Sequence, residues 1–106
     1  MTTKLINVGA VGIGITEVAA YTVPADTTSM LLGCSITNVF GAIVPIDVII
    51  RKGGVDIHLA KERRVAVGKS EEIVAAKIVL ATGDALVLRG YADSSFDALI
   101  SLAEGV

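Results

Sequence analysis

The sequence predicts an all-β protein, folded as an antiparallel β-sandwich or a jelly-roll-like module of about seven or eight short strands. Apolar side chains recur at every second position in several segments, which is typical of strands that bury one face. Turn-forming residues separate these segments at intervals of about 8 to 12 residues. Apolar residues make up 53% of the chain and aromatic residues only 4%, so the core must be built from aliphatic side chains. Many of these are β-branched and suit a pleated, half-buried surface.

The first part of the chain is rich in glycine, and 106 residues is the size of one domain. We expect residues 1–14 to form a loose, flexible N-terminal arm or an edge strand, and residues 15–106 to form a single β-sandwich domain. The spacing of Gly9, Gly12 and Gly14 is not that of a dinucleotide-binding fingerprint. The apolar run at residues 8–15 is short and lacks a basic leader, so we predict neither a signal peptide nor a membrane span.

The middle of the chain predicts several strands separated by breakers. Strands are expected at residues 16–23, 29–40 and 43–51, with a proline-containing breaker at residues 24–28. Gly53 and Gly54 predict a tight β-hairpin with a return strand that begins at Val55, because consecutive glycines accept the positive φ angles of two-residue turns. Two interpretations of residues 70–80 stay open, a helix capped by Ser70 or short strands, and the β-branched residues of this segment favour the strands.

The last third of the chain carries the clearest alternation. Apolar or small side chains occupy every second position in two runs, Leu86, Leu88, Gly90 and Ala92, and Phe96, Ala98, Ile100 and Leu102. The polar turn at residues 93–95 separates the two runs, so we expect a β-hairpin with one face in the core. The opposite face carries Val87, Tyr91 and Leu99, which are apolar where a free surface would be polar. We expect these three residues to be covered, either by the rest of the chain or at a subunit interface.

No pattern in the sequence indicates catalysis, a metal site or a cofactor. His58 is the only histidine and Cys34 the only cysteine, so neither a zinc cluster nor an internal disulfide is expected. Gly68-Lys69-Ser70 resembles the end of a phosphate-binding loop, but Arg63 occupies the position where that motif requires its first glycine. We therefore predict a protein that is not an enzyme and that needs no cofactor.

Basic residues are concentrated between positions 51 and 69, although the chain has a net charge of −2. This window is a candidate docking surface for an acidic partner, since complementary charge guides association. The acidic chain and the lack of aromatic residues among the basic ones argue against nucleic acid as a partner. The six candidate docking residues are Arg51, Lys52, Lys61, Arg63, Arg64 and Lys69.

Three segments resemble small virion structural proteins of tailed bacteriophages: VPADTTSMLLGCSITNV, IDVIIRKGGVDIHLAKERRVAVGKSEEIV and KIVLATGDALVLRGYADSSFDALISLAE. The shared features are a strand entry of the form VPA-x-T-T, a central hairpin and a closing segment with L-x-x-GD-x-L. The resemblance implies a β-sandwich attached to the virion, typically a capsid decoration or cement protein, and it implies no catalytic residues.

The sequence and this resemblance together predict a non-enzymatic virion protein that stabilises the head by bridging capsid subunits. Its expected partners are further copies of itself, with a trimer as one arrangement, and the major capsid protein or another virion protein, with no role for nucleic acid or membrane. We expect it on the capsid exterior, after synthesis in the cytoplasm of a bacterial host. Two alternatives stay open: a head–tail connector, collar or tail component, and a carbohydrate-binding module.

Overall fold

The computed structural model describes residues 3–105, and this part of the chain forms nine strands and no helix. All strand pairs are antiparallel. The predicted all-β sandwich is therefore confirmed, with slightly more strands than expected. The strands are β1 (Lys4–Ile13), β2 (Val18–Thr22), β3 (Ser29–Asn38), β4 (Val44–Lys52), β5 (Val55–Val65), β6 (Ser70–Glu72), β7 (Ile78–Leu80), β8 (Ala85–Gly90) and β9 (Phe96–Glu104).

The strands divide into two sheets. Sheet I has the order β1-β9-β3-β6, and β7 pairs with β3 beside β6. Sheet II has the order β2-β8-β4-β5. Both sheets contribute inward-facing aliphatic side chains to one core, as expected from the period-two alternation. Its largest fully buried side chains include Leu31, Ile36, Phe96, Ile100 and Leu102 from sheet I and Ile46, Val48, Leu86 and Leu88 from sheet II.

The central strand of sheet I is β9. Its residues pair on one side with β1, from Lys4 opposite Glu104 to Ala10 opposite Ala98, without a register shift. On the other side β9 pairs with most of β3, from Ser29 opposite Glu104 to Asn38 opposite Phe96. Both ends of the described chain therefore lie in the same sheet.

The expectation of a loose arm was wrong for residues 4–13, which form β1; residues 1 and 2 lie outside the described part of the chain. The edge-strand alternative is the one found. The glycines do not prevent pairing, because Gly9 continues the regular ladder opposite Leu99. Gly12 lies in the irregular part of the strand with φ +63, a conformation that glycine adopts without strain.

The predicted closing hairpin was also wrong, because β8 lies in sheet II and β9 in sheet I. The residues between them cross from one sheet to the other instead of turning back within a sheet. The N–H groups of Gly90 and Ser95, which flank this crossing, donate to the carbonyl oxygens of Gly14 and Ile13. Ser94 within it has φ +49. The buried faces of both runs were predicted correctly, but their pairing was not.

Two other local predictions are confirmed. The β4–β5 hairpin pairs Lys52 with Val55 across Gly53 and Gly54, which have φ +54 and +81. Residues 70–80 contain the short strands β6 and β7 and no helix. Both strands pair with β3, whose length accommodates them one after the other.

A substitution at Gly90 tests how closely the β8–β9 crossing packs against the end of β1. A Cβ atom at this position would lie 2.6 Å from Oγ of Ser95, 3.3 Å from the carbonyl oxygen of Ile13 and 3.4 Å from the ring of Phe96. We expect Gly90→Ala to lower the free energy of unfolding by about 1–3 kcal/mol, the usual cost of overpacking a core. Chemical denaturation monitored by circular dichroism measures this change.

Gly41→Ala is the matched control, because a Cβ atom at Gly41 would have no atom within 4 Å. Its free energy of unfolding should differ little from that of the wild type. Equal stabilities for the two variants would contradict the close packing at Gly90.

Candidate assembly surfaces

The described residues bring no cluster of metal-ligating side chains together. Within residues 3–105, no group of three or more His, Cys, Asp or Glu side chains is placed to hold a metal ion. His58 is exposed on β5. No helix in this part of the chain could cross a membrane. The features that distinguish the surface are therefore its charges and its apolar areas.

The six basic residues proposed for docking do not act as one cluster. Arg51 donates to Asp56 across the β4–β5 hairpin and to Glu17, which precedes β2. Hydrogen bonds from Arg51 lower the pKa of both carboxyl groups, and the two carboxylates, Asp56 first, raise the pKa of Arg51.

Two further basic residues are paired with carboxylates that lie outside the basic window. Lys52 forms an ion pair with the buried Asp84, which also accepts the N–H of Ala81 at 2.9 Å. The hydrogen bond from Lys52 is the main cause that lowers the pKa of Asp84. Arg63 pairs with Glu71, so this contact joins the edge strand β5 of sheet II to β6 at the edge of sheet I. Each of these ion pairs links two separate segments of the chain.

The remaining three basic residues, Lys61, Arg64 and Lys69, are exposed and make no ion pair within residues 3–105. Fewer basic residues are available for docking than the sequence suggested, because three of them pair with Glu17, Glu71 and Asp84, which lie outside the window. No spacing rule could have located these three carboxylates. Docking by the basic residues stays a prediction, now restricted to the three exposed ones.

The three residues proposed for a subunit interface do not share a face. Val87 is fully buried on the outer side of sheet II, in a small apolar cluster with Ile49 and Ala85. The Arg51–Glu17 ion pair joins β4 to the residue before β2, so it spans β8, which carries Val87. Val87 is thus covered by its own chain and is unavailable to a partner.

Tyr91 is half-buried in the crossing between the two sheets. Its hydroxyl group donates to the carboxylate of Asp47, with O···O distances of 3.0 and 3.1 Å, and Arg89 lies 5.1 Å from the centre of its ring. Desolvation and then the bond to Asp47 raise the pKa of Tyr91. Asp47 also accepts the N–H of Glu62, which has φ +48 in β5. Tyr91 therefore has a structural role in sheet II.

Leu99 lies on the outer face of sheet I and is exposed, so it remains a candidate contact residue. Its neighbours make this face unusually apolar. Leu5, Ala103, Met30 and Val79 lie opposite one another on adjacent strands and form a continuous apolar row across the sheet. The exposed fractions are 79% for Leu5, 83% for Val11, 58% for Val79 and 54% for Leu99.

A shallow depression lies on the same side of sheet I, lined by Leu5, Ile6, Asn7, Leu32, Ser101 and Leu102. This surface was not predicted, because residues 1–14 were placed outside the sandwich domain. Leu5 and Val11 could have been found by treating residues 4–13 as a strand, since an edge strand places alternate residues on the outer face. The outer face of sheet I is the clearest candidate contact surface among the described residues.

Apolar side chains are also exposed at the end of the sandwich where β3 leads into β4. Val39, Phe40 and Ile43 lie in this loop, and Val67 lies in the neighbouring loop between β5 and β6. The two loops are joined by the N–H of Gly68, which donates to the carbonyl oxygen of Asn38. This end forms a second, smaller apolar surface.

Comparisons with known proteins support the fold and do not indicate a function. No protein-family model matches the sequence, and no curated protein matches it significantly. A solved structure described as "Bacillus endospore appendages form a novel family of disulfide-linked pili" contains a chain with a similar fold, at a TM-score of 0.57 and 17% sequence identity. The likeness covers 99% of this chain and 87% of that chain. At this identity the comparison supports the β-sandwich architecture alone.

Cys34 differs from a cysteine placed to form a disulfide between subunits. It is fully buried on β3, and desolvation, followed by the charge of Glu72, raises the pKa of its thiol to about 12. The thiolate is the form that reacts, so both burial and protonation make this thiol inert.

We therefore expect Cys34 in the native protein to resist a water-soluble thiol reagent at neutral pH. In denaturant the thiol should become exposed and react, which releases one equivalent of reagent product per chain, as measured by absorbance. Rapid modification of the native protein, at the rate of a small exposed thiol, would contradict the buried position of Cys34.

Proposed function

We propose that this protein is a non-enzymatic structural subunit that acts in a multi-copy protein assembly. The observation that carries the proposal is the apolar outer face of sheet I. The core between the sheets is already filled by fully buried side chains, so Leu5, Val79 and Leu99 are not needed to complete it. Exposed apolar side chains that continue across several strands are typical of surfaces that pack against another protein.

The setting we propose is the surface of a bacteriophage virion, where the protein would act as a capsid decoration or cement protein. The support for this setting is the resemblance of three sequence segments to small virion proteins. Many copies on a symmetric lattice would make individually modest apolar contacts effective through avidity. Lys61, Arg64 and Lys69 would add an electrostatic contribution against an acidic capsid surface.

A second candidate is a subunit of a homopolymeric filament. The observation in its favour is the fold that this chain shares with a chain from the endospore appendages described as disulfide-linked pili. The buried Cys34 gives this chain no comparable thiol on its described surface, so contacts in such a filament would be non-covalent. The outer face of sheet I would serve either assembly.

Val79→Lys tests the proposed contact face, because it places a charge within the apolar row of sheet I. The purified protein is mixed with phage heads from which it has been removed, and separately concentrated alone to allow filaments to form. We expect Val79→Lys to weaken co-sedimentation with the heads, or self-assembly beyond a dimer, at least tenfold, which corresponds to about 1.4 kcal/mol.

Val55→Lys is the matched control, since Val55 is 62% exposed and lies in the β4–β5 hairpin of sheet II. It should assemble like the wild type. Electron microscopy of the two mixtures separates decorated heads from filaments. A wild-type protein that neither binds heads nor assembles alone, or a Val55→Lys variant as impaired as Val79→Lys, would overturn the proposal.

A further inference from the structure

The sandwich has four open sheet edges, and they differ in how well they are protected against pairing with another strand. An edge strand exposes unpaired N–H and C=O groups, and proteins commonly block such edges with charges, bulges or short strands. On sheet II, β5 carries Lys61, Glu62, Arg63 and Arg64 and has two register shifts against β4. At the other edge of sheet II, β2 has five residues and a register shift of its own.

The two edges of sheet I contrast with each other. Beyond β3 the edge is divided between β6 and β7, which have three residues each. At the opposite edge, the stretch Lys4–Ala10 of β1 runs through seven residues without a register shift. Its single charged residue is Lys4. Among the described edges, β1 alone offers a long, regular and apolar stretch, and its protection is confined to its two ends, Lys4 at the start and the register shift after Ala10.

The inner side of β1 is also incomplete. Ile6, Val8 and Ala10 pack against the main core but are only partly buried. Every second residue of an edge strand directs its N–H and C=O groups away from the neighbouring strand. A strand added beside β1 would therefore bond these groups and cover the exposed part of the three side chains.

We propose that β1 is a pairing edge and that its partner is β1 of a second copy of this chain, in an antiparallel arrangement that joins two copies of sheet I. This inference rests on the proposed role as an assembly subunit and names the contact that would join two subunits. The pairing is self-complementary, because a two-fold axis places the same strand on both sides of the contact. It is a case of sheet extension by an added strand.

The register follows from the regular stretch of β1. All seven residues pair only when the two-fold axis passes by Asn7, which then lies opposite Asn7 of the second copy. On the inner side Ile6 would face Val8, a pair of β-branched residues that favours adjacent strands. The two Lys4 side chains would lie at opposite ends of the contact, so no like charges meet.

On the outer face, a leucine of each copy would pack over a glycine of the other copy. In this register Leu5 of the second copy would lie opposite Gly9. A Cβ atom at Gly9 would have no atom within 4 Å, so the surface above it is open. Gly9 is flanked on the other side by Leu99. Leu5 of one copy would fill this space and extend the apolar face of the other, which accounts for the exposure of both leucines in the single chain.

Charge substitutions at Asn7 test the pairing. Its side chain is exposed and accepts one hydrogen bond from Ser101, so its replacement leaves the core intact. Asn7→Lys and Asn7→Asp each place like charges opposite one another at the axis, which destabilises a strand pair. We expect the wild type to reach twice the monomer mass of 10.9 kDa in sedimentation equilibrium, and either variant to dimerise at least tenfold more weakly.

Mixing the two variants should restore the dimer as a heterodimer, because the introduced lysine of one copy would then face the introduced aspartate of the other. His58→Lys, on the protected edge strand β5, is the control and should dimerise like the wild type. Asn7→Cys should be joined into a covalent dimer by a short bifunctional thiol cross-linker, since opposite Cβ atoms in adjacent strands lie about 4.5–5.5 Å apart. His58→Cys, on the exposed surface of β5, should not.

A wild-type protein that stays monomeric at high concentration would overturn the inference. So would a dimer that survives Asn7→Lys, or an Asn7→Cys variant that fails to cross-link. The proposed function is judged separately: Val79 lies at the far side of sheet I, so Val79→Lys should leave the dimer intact while it weakens assembly. Loss of the dimer with normal assembly removes the β1 contact alone, and a normal dimer without assembly removes the proposed function alone.

Discussion

The position of β9 between β1 and β3 is the interaction on which the rest of the structure depends. It places the N-terminal strand and the C-terminal strand side by side, and it presents Phe96, Ile100 and Leu102 to the core from the middle of sheet I. Because β9 has neighbours on both sides, its outer side chains cannot turn toward the core. Leu99 is therefore held on the surface, and β1 is held at the edge.

The two outer faces of the sandwich are organised differently. On sheet II, Arg51 and its two carboxylates lie over a small apolar cluster, and Asp47 satisfies Tyr91 and the irregular backbone at Glu62. On sheet I the apolar row from Leu5 to Val79 has no comparable cover in the described part of the chain. This difference is the physical basis for assigning the contact face to sheet I and a structural role to the charges of sheet II.

The sequence pattern located most strands, but it could not assign all of them to their sheets. Period-two alternation marks which side chains of a strand face the core, and Leu86, Leu88, Phe96, Ile100 and Leu102 are buried as predicted. Strands of both sheets in a sandwich carry the same pattern, so alternation could not show that β8 and β9 lie in different sheets. Only for β4 and β5 did the sequence indicate a shared sheet, because the two consecutive glycines between them predicted a tight turn.

The candidate site was less predictable than the fold for a related reason. The burial of Val87 and the pairing of Arg51, Lys52 and Arg63 depend on residues that are distant along the chain or that lie in the other sheet. The glycines of β1 made this segment hard to predict as a strand, because glycine has a low strand propensity even at positions where it pairs regularly. The acidic partners of the basic window became visible only once the sheets had brought them together.

The most direct test of the account is amide hydrogen exchange across residues 4–10 as a function of protein concentration. In a single chain, the amides of β1 that bond to β9 should exchange slowly, while those directed to the open edge should exchange fast. We predict that the second set becomes protected as concentration rises, while β5 at the other long edge shows no such change. Fast exchange at the open edge of β1 at every concentration would contradict the claim that this edge pairs with a second copy.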